Sequence, residues 1–363
     1  MGVIRSELST ARAFKENSLP IERINPLAHP AWSPFVAQHP AASIFHTAGW
    51  LQALRRTYQY EPAALAIVRP DHSISAALVY CRVDSWLTGR RLVSLPFCDH
   101  CDPLVSDEQQ FAELSARLIE MGHQSKCKYV ELRPSNEQIV APRGFQQSEQ
   151  FSLHRVDLRP GASAIFKTFH RDSIQRKIRK AEREGLTIQK GRDADLMREF
   201  YGLMLHTRRR HGLPPQPIEW FSNLAESLGE ALLVRVAYKD GKAIAGILTL
   251  EHQATLTYKY GASDERFHNL GGMPFLFWDA IQDATGRGFE QMDMGRSELD
   301  NTGLSTFKER WGATATSLTY WKSPAPRLRS HPSRYMRLVH YACSHSPNAW
   351  LRVLGTLVYR HAA

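Results

Sequence analysis

The sequence predicts an α/β protein built from two halves, each with a mixed sheet. Two observations carry this. Residues 40–160 and 161–323 each run through helix, antiparallel strands, helix and strand in that order. The 363 residues also suit about two domains, and 43% hydrophobic content with eight Trp can fill two cores. Residues 1–39 stand as an N-terminal extension and 324–363 as a basic tail. The shared order points to a duplicated fold, although no repeat is visible residue by residue.

In the first half, residues 45–59 read as a helix with Trp50, Leu51 and Leu54 on one face. Residues 63–68 and 74–82 read as paired strands, with Pro70-Asp71-His72-Ser73 as the turn between them. A strand over 91–96, an amphipathic helix over 111–122 and a short buried strand over 129–132 follow. In the second half, the basic run 166–184 reads as one helix that Gly185 ends. Residues 196–211 form a second helix, stopped by Gly212 and Pro214-Pro215. Strands over 232–238, 243–252 and 255–260 come next, with Asp240-Gly241 turning the first into the second. A helix over 273–287, a strand over 289–294, a loop over 297–313 and a strand over 317–322 close the half.

The net charge of +10 implies acidic partners: a phosphorylated substrate, a nucleic acid or an anionic membrane surface. No run approaches the roughly 18 apolar residues of a membrane span. The start, MGVIRSELSTARAFKEN, is polar and lacks a signal core, which predicts a cytoplasmic protein. Met1-Gly2 with Ser6 spells a myristoylation pattern, a short motif that carries little weight. Five cysteines fit a reduced compartment better than a disulfide framework. Cys98-Asp99-His100-Cys101 has the spacing of half a zinc site, but no second CxxC or HxxxH completes a tetrahedron, so no metal is expected. From Pro324 onward the chain has six arginines and no acid, beside Trp350, Leu351, Val353, Leu354, Leu357 and Val358. Such a segment can lie on an anionic inner-membrane face, or form a helix packed on its own domain with its arginines solvated.

The densest signal lies in the second half. It reads strand TLTYKYGAS (255–263), loop DERFHNLGGMP (264–274), helix FLFWDAIQDATGRG (275–288), strand FEQMDMGR (289–296) and SELDNTGLSTFKERWGA (297–313). SIQRKIRKAEREGL (173–186) precedes it, and SLPFCDHCDPL (94–104) sits in the first half. In this order and spacing, over roughly residues 40–322, the chain resembles the FemAB-like branch of the GNAT acyltransferase superfamily, which includes BioF2-like or CelD-like acetyltransferase domains. The resemblance implies tandem GNAT-like domains with the donor in the C-terminal half. It implies transfer of an acyl group from acyl-CoA, such as acetyl-CoA, to an amine on a small-molecule or lipid-linked envelope glycan or polysaccharide precursor. Charged tRNA is the alternative donor, and a non-catalytic polysaccharide-synthase accessory is a third reading. No DNA partner is expected, and no segment resembles an RNA-reading motif.

Acyl transfer to an amine needs a base for the amine's proton and donors for the oxyanion. The resemblance assigns Phe307 and Lys308 to the substrate phosphate and the reacting centre, with Lys308 as electrostatic stabiliser. It offers Asp99 and Asp102 as base or substrate ligand from the N-terminal half. Arg296 follows Asp293-Met294-Gly295 at a strand's C-terminal end, where ligands of α/β sheets collect. Tyr258 and Tyr260 should share one strand face, with Lys259 on the other. GNAT enzymes often use a Tyr near this strand to protonate the leaving group, which marks Tyr260; otherwise the pair is core. Arg176, Arg179, Lys180 and Arg183 share a helix face, and by the resemblance Arg176 and Arg179 lie beside the acceptor cleft to grip a pyrophosphate. Arg208-Arg209-Arg210-His211 is a second basic patch. Gly271 and Gly272 open a helix whose free N–H groups could cradle the pyrophosphate of CoA, although the spacing departs from R/Q-x-x-G-x-G/A. A plain helix start with Pro274 in the first turn is the simpler role. Tyr260, Arg296 and Lys308 are expected to line one cavity that opens towards the cleft between the halves.

Overall fold

Each half is organised around one strand–helix–strand crossover in the computed structural model, which describes residues 20–324, 343 and 347–361. In the first half, β1 (Ile21–Ile24), β2 (Glu61–Val68), β3 (Ile74–Ser85) and β4 (Gly89–Val93) pair antiparallel. Helices α1 (Trp32–Gln38) and α2 (Ala48–Tyr58) lie between β1 and β2 in sequence. Helix α3 (Glu108–Gln124), capped by the Asp107 carboxylate, then returns the chain to β5 (Tyr129–Leu132), parallel to β4.

The second half repeats this pattern. Helices α4 (Ala162–Thr168) and α5 (Arg176–Arg183) precede β7 (Thr187–Gly191). After α6 (Ala194–Arg210) and α7 (Ile218–Leu228), strands β8 (Leu232–Lys239), β9 (Lys242–His252) and β10 (Thr255–Ser263) continue the antiparallel ladder from β7. Asp240 and Gly241 take φ of 49° and 75°, the left-handed pair a tight hairpin needs. Helix α8 (Gly272–Gly286) crosses to β11 (Gln291–Glu298), parallel to β10. Those two strands pair only through Thr255–Thr257 and Gln291–Asp293, then diverge as both run on.

The expected two sheets are joined into one. Strands β6 (Gln146–Asp157) and β12 (Thr314–Ser323) complete a 12-stranded sheet in the order β1-β2-β3-β4-β5-β12-β6-β11-β10-β9-β8-β7. The last strand, β12, inserts between β5 of the first half and β6. The inner edge of each half would otherwise present unpaired N–H and C=O groups, and this exchange covers both.

Three local expectations change. The run 166–184 is not one helix: it breaks at Phe169, whose ψ of 142° is extended, and restarts as a π-helical turn over Arg171–Gln175 ahead of α5. Burial drives the break, because the Phe169 ring packs edge-on against Trp311 at 4.8 Å and Trp278 at 5.8 Å. The expected loop 297–313 contains α9 (Thr302–Glu309), started by Asn301 Oδ1 accepting from Leu304 N. Helix α7, which the sequence reading leaves out, packs on α2 through an edge contact of Trp220 with Trp50 at 5.2 Å. Trp50, Leu51 and Leu54 are all buried, and one apolar core runs continuously from α2 of the first half to α6 and α7 of the second.

The C-terminal segment ends in α10 (Asn348–Tyr359). Its inner face docks on the protein: Leu351 is buried, and Tyr60 Oη donates to the carbonyls of Tyr359 and Arg360 at 3.2 and 3.0 Å. Met1, Gly2 and Ser6, and the tail arginines Arg327, Arg329, Arg334 and Arg337, lie outside the described residues. Among the described residues no helix is long and apolar enough to cross a membrane.

Candidate active site

The two halves meet at a bulge in β11. Against β6 the register slips by one residue between Asp293 and Arg296, and Gly295 takes up the bend at φ 72°. Asp293 Oδ1 accepts from Gly295 N at 2.7 Å and fixes the turn. The bulge turns two carbonyls towards α9, where Lys308 Nζ donates to Gly295 O at 2.7 Å and Arg296 O at 2.8 Å. A Cβ on Gly295 would stand 2.8 Å from Asp99 Oδ2, so the Asp99 carboxylate lies directly over the bulge. Asp99 Oδ2 is also 3.5 Å from Lys259 Nζ, whose ammonium sits over the Phe45, Trp50 and Tyr260 rings. Asp99 from the first half thus meets Lys259 and the bulge that Lys308 holds in the second. Its side chain is 23% exposed against 6% for Lys259, which makes it the solvent-facing member of the pair.

Burial pushes the Lys308 ammonium down to about 8, opposed by Asp99 and Asp293 and helped by Arg296 and Lys259. Behind it lies a wholly buried relay. His100 Nε2 is 2.9 Å from Asp293 Oδ2, and His100 Nδ1 is 3.5 Å from Asp102 Oδ2. Burial alone would lower His100, but the two carboxylates override it and raise the imidazole to about 9. Burial would likewise raise Asp102, yet His100 and Ser135 draw it down to about 2. Asp102 accepts from Ser135 N and Oγ, both at 2.7 Å, and from Asn136 N at 3.2 Å. Arg155 Nη2 donates to Ser135 Oγ at 3.2 Å, and its Nε lies 3.9 Å from Asp293 Oδ2. The structure therefore puts Asp99 at the junction and Asp102 one layer behind it.

The other expected residues disperse. Arg296 is half-buried, its guanidinium over Phe151 at 4.0 Å and Tyr320 at 5.2 Å. Tyr258 and Tyr260 do not share a face, because a bulge at Lys259 breaks the alternation of β10. Tyr258 packs on Phe277 at 4.6 Å, whereas Tyr260 joins the core on the other side and accepts from Trp220 Nε1 at 2.9 Å. The expected single cavity with Tyr260, Arg296 and Lys308 is replaced by these separate settings. Arg176 and Arg179 are exposed on α5, with Arg179 over Phe166.

A cavity of about 290 Å³ lies at the N-terminus of α8, lined by Ser173, Lys177, His268, Gly272, Phe307 and Arg310. Gly272 borders it, and Phe307 faces it while the adjacent Lys308 faces the bulge. Gly271 has φ 83°, and a Cβ there would fall 2.4 Å from Lys177 O, so its glycine identity follows from the close approach of α5. Gly271→Ala is expected to cost about 2–4 kcal/mol, combining left-handed strain with overpacking. A denaturant midpoint unchanged by this substitution would contradict the packing. A larger cavity of about 870 Å³ lies in the first half at the start of α3. Asp102, Asp107, Ser135, Asn136, Glu137 and Arg155 are among its lining residues, so it reaches the relay from behind. Cys98 Sγ donates to Leu95 O at 2.9 Å, and burial raises the thiols of Cys98 and Cys101. Among the described residues no group of His, Cys, Asp or Glu is arranged to hold a metal.

Sequence reasoning does not single out His100, Asp293, Arg155, Ser135, Lys177 or Arg310 as ligands. A polar residue inside an apolar run, as in MDMG, is the one signal that marks Asp293 as internal.

Residues 168–309 match the family described as acetyltransferase (GNAT) domain. The UDP-N-acetylmuramoylpentapeptide-lysine N(6)-alanyltransferase of Weissella viridescens is 25% identical over 133 residues, which is 36% of this chain and 39% of that relative's length. The match therefore spans well under half of the relative. Among solved structures, FemX superposes with a TM-score of 0.66 at 15% identity, covering 82% of this chain and 96% of FemX. The L-PGS structure from Bacillus licheniformis gives 0.54 at 15% identity, covering 86% and 96%. A tandem GNAT protein from the clavulanic acid biosynthesis pathway gives 0.53 at 10% identity, covering 85% and 100%. In this chain the parallel pairs β4–β5 and β10–β11, each bridged by one helix, are the unit that the two halves repeat. Residues 168–309 are thus similar to the acetyltransferase (GNAT) domain family, and the chain as a whole has the fold of FemX and of the tandem GNAT protein.

Proposed function

We propose that this protein transfers an acyl or aminoacyl group to an amine borne by a cell-envelope glycan or polysaccharide precursor on the cytoplasmic side. The observation that carries the reading is that the Asp99 carboxylate, from the first half, and the Lys308 ammonium, from the second, both approach Gly295: a Cβ there would stand 2.8 Å from Asp99 Oδ2, and Lys308 Nζ donates to its carbonyl. In the reaction a C–N bond forms at the acyl carbonyl, and the bond to the donor's sulfur or ribose oxygen breaks. Asp99, partly exposed, takes the proton released by the attacking amine, and that proton passes on to the departing sulfur or ribose oxygen, which leaves as thiol or alcohol. Lys308 has three N–H donors, and two are spent on the Gly295 and Arg296 carbonyls. The third is free for the developing oxyanion or a substrate phosphate.

The divergence of β10 from β11 and the cavity at the start of α8 support a phosphate-bearing donor in the second half. Lys177, Arg310 and the N–H groups of the first turn of α8 supply the positive potential, with Ser173 as a further hydrogen-bond donor. Acyl-CoA and the 3′ end of charged tRNA both fit that chemistry. The exposed Arg176 and Arg179 next to Lys177 favour the tRNA donor as the second reading. The test is thermal stabilisation by acetyl-CoA, longer acyl-CoAs and alanyl-tRNA, followed by transfer of labelled acyl group to an amine acceptor. A donor at 100 times its Kd stabilises by about 2.7 kcal/mol. If no donor stabilises the protein and none is turned over, the accessory reading replaces the enzyme.

A further inference from the structure

Two exposed apolar elements, remote from each other in sequence, meet at His361. The β3–β4 turn carries Trp86, 86% exposed, and Leu87, 59% exposed. Helix α10 carries Trp350, Val353 and Leu357, each more than half exposed, at spacings of three and four that put them on one face. The opposite face is the docked one, where Leu351 is buried and a Cβ on Gly355 would stand 2.1 Å from Pro215 O. The end of the helix is tied to the turn. His361 O accepts from Thr88 Oγ1 at 3.2 Å and Arg91 Nη2 at 3.0 Å, Ser85 Oγ is 3.0 Å from His361 Nδ1, and the Trp86 and His361 rings lie 5.6 Å apart. The turn and the helix are therefore one fixed surface rather than two loose tips.

Its chemistry selects the partner. Two indoles and three aliphatic side chains stand out into solvent, and indole suits the boundary between hydrocarbon and water. Arg352 and Arg360 are exposed where the helix meets the body, Arg352 over Tyr201 and Arg360 donating to Gln59, and the 40 residues from Pro324 onward hold six arginines without an acid. A second copy of this chain, with the same net charge of +10 and the same acid-free segment, repels rather than complements this region. An anionic surface answers both features at once, since apolar burial and attraction to acidic headgroups add.

We propose that the Trp86–Leu87 turn and the outer face of α10 form a docking surface for an anionic phospholipid bilayer. The side chains enter the headgroup region and the helix lies in the plane of the interface without crossing it. This inference does not rest on the transfer reaction, and its test reads no activity.

The full-length protein is floated with vesicles of phosphatidylglycerol and phosphatidylcholine, and separately with phosphatidylcholine alone. Binding to the first, weak binding to the second and loss of binding at high salt are expected. Trp86→Ser with Leu87→Ser, and Trp350→Ser with Leu357→Ser, should each weaken partition at least tenfold. Melting temperatures should stay unchanged, because these side chains are exposed. Absence of binding to the anionic vesicles overturns the proposal. So does wild-type partition by both double variants, which would leave charge elsewhere as the cause. Sedimentation showing a dimer that the same variants dissociate, without vesicle binding, would assign the face to a second copy instead.

Discussion

Substituting His100 by Ala is expected to cost about 3–5 kcal/mol, a large share of the 5–15 kcal/mol that holds most domains together. His100 is the one cation between two buried carboxylates, Asp102 and Asp293, and its removal leaves Asp293 with Arg155 at 3.9 Å as its nearest charged partner. The relay also ties residue 100 of the first half to residue 293 of the second, so its loss weakens the junction as well as each side. The same cluster sets a pH dependence. His100 is raised to about 9 from 6.5, so its contribution is fully present below about pH 6.5 and is lost as the pH rises through about 9. At about 1.4 kcal/mol for each pH unit between those two values, that is about 3 kcal/mol in all. Asp102 is lowered from 3.8 to about 2, so its contribution is present above about pH 3.8 and is lost as the pH falls through about 2. Burial lowers His46 from 6.5 to about 4, so stability gained from its neutral form is lost as the pH falls from about 6.5 to 4. Urea unfolding should therefore show stability rising with pH up to about 6.5, then a decline between about pH 6.5 and 8 that His100→Gln abolishes, because above about 8 the lowered Lys308 opposes it. An alkaline limb of equal slope in His100→Gln would assign the decline to another group.

What the sequence made legible follows from range. The Asp240-Gly241 hairpin, α6 and α8 depend on neighbours within a few residues, and all appear within a residue or two of their expected bounds. The break at Phe169 is invisible locally because the run around it favours helix. Only the distant Trp278 and Trp311, which receive the ring, decide it. The exchange of β6 and β12 is set by pairing across more than 150 residues, for which one sequence holds no signal. Family resemblance, not chemistry, marks Asp99 and Lys308, since an isolated Asp in a loop and a Lys in a polar segment read as solvated. The misplacement of Tyr258 has the same root: strict alternation fails at a bulge, and the register shift at Lys259 is fixed by β9. The His100–Asp293 pair joins positions 193 apart and becomes visible only once the halves are assembled.

Lys308→Ala should lower turnover by about 10²–10³, the loss seen when one oxyanion donor is removed, with a much smaller change in donor affinity. Lys308 is 2% exposed, so the substitution also leaves the Gly295 and Arg296 carbonyls without their donor, at a cost of about 1–3 kcal/mol. Turnover must therefore be compared at a temperature where circular dichroism shows both proteins folded. The pH profile separates the roles. With its ammonium pushed down to about 8, Lys308 is charged below that pH and neutral above it. If the charge stabilises the transition state, turnover is flat below about pH 8 and falls as the pH rises through it. A neutral Lys308 acting as base would give the opposite sign, with turnover rising through the same pH. If Lys308 grips a substrate phosphate before reaction, the loss appears in acceptor KM and shrinks as salt is added. A Lys308→Ala protein that is folded, with turnover, both affinities and pH profile unchanged, would remove Lys308 from the site and leave Asp99 with Lys259 as the solvent-facing charged couple at the junction.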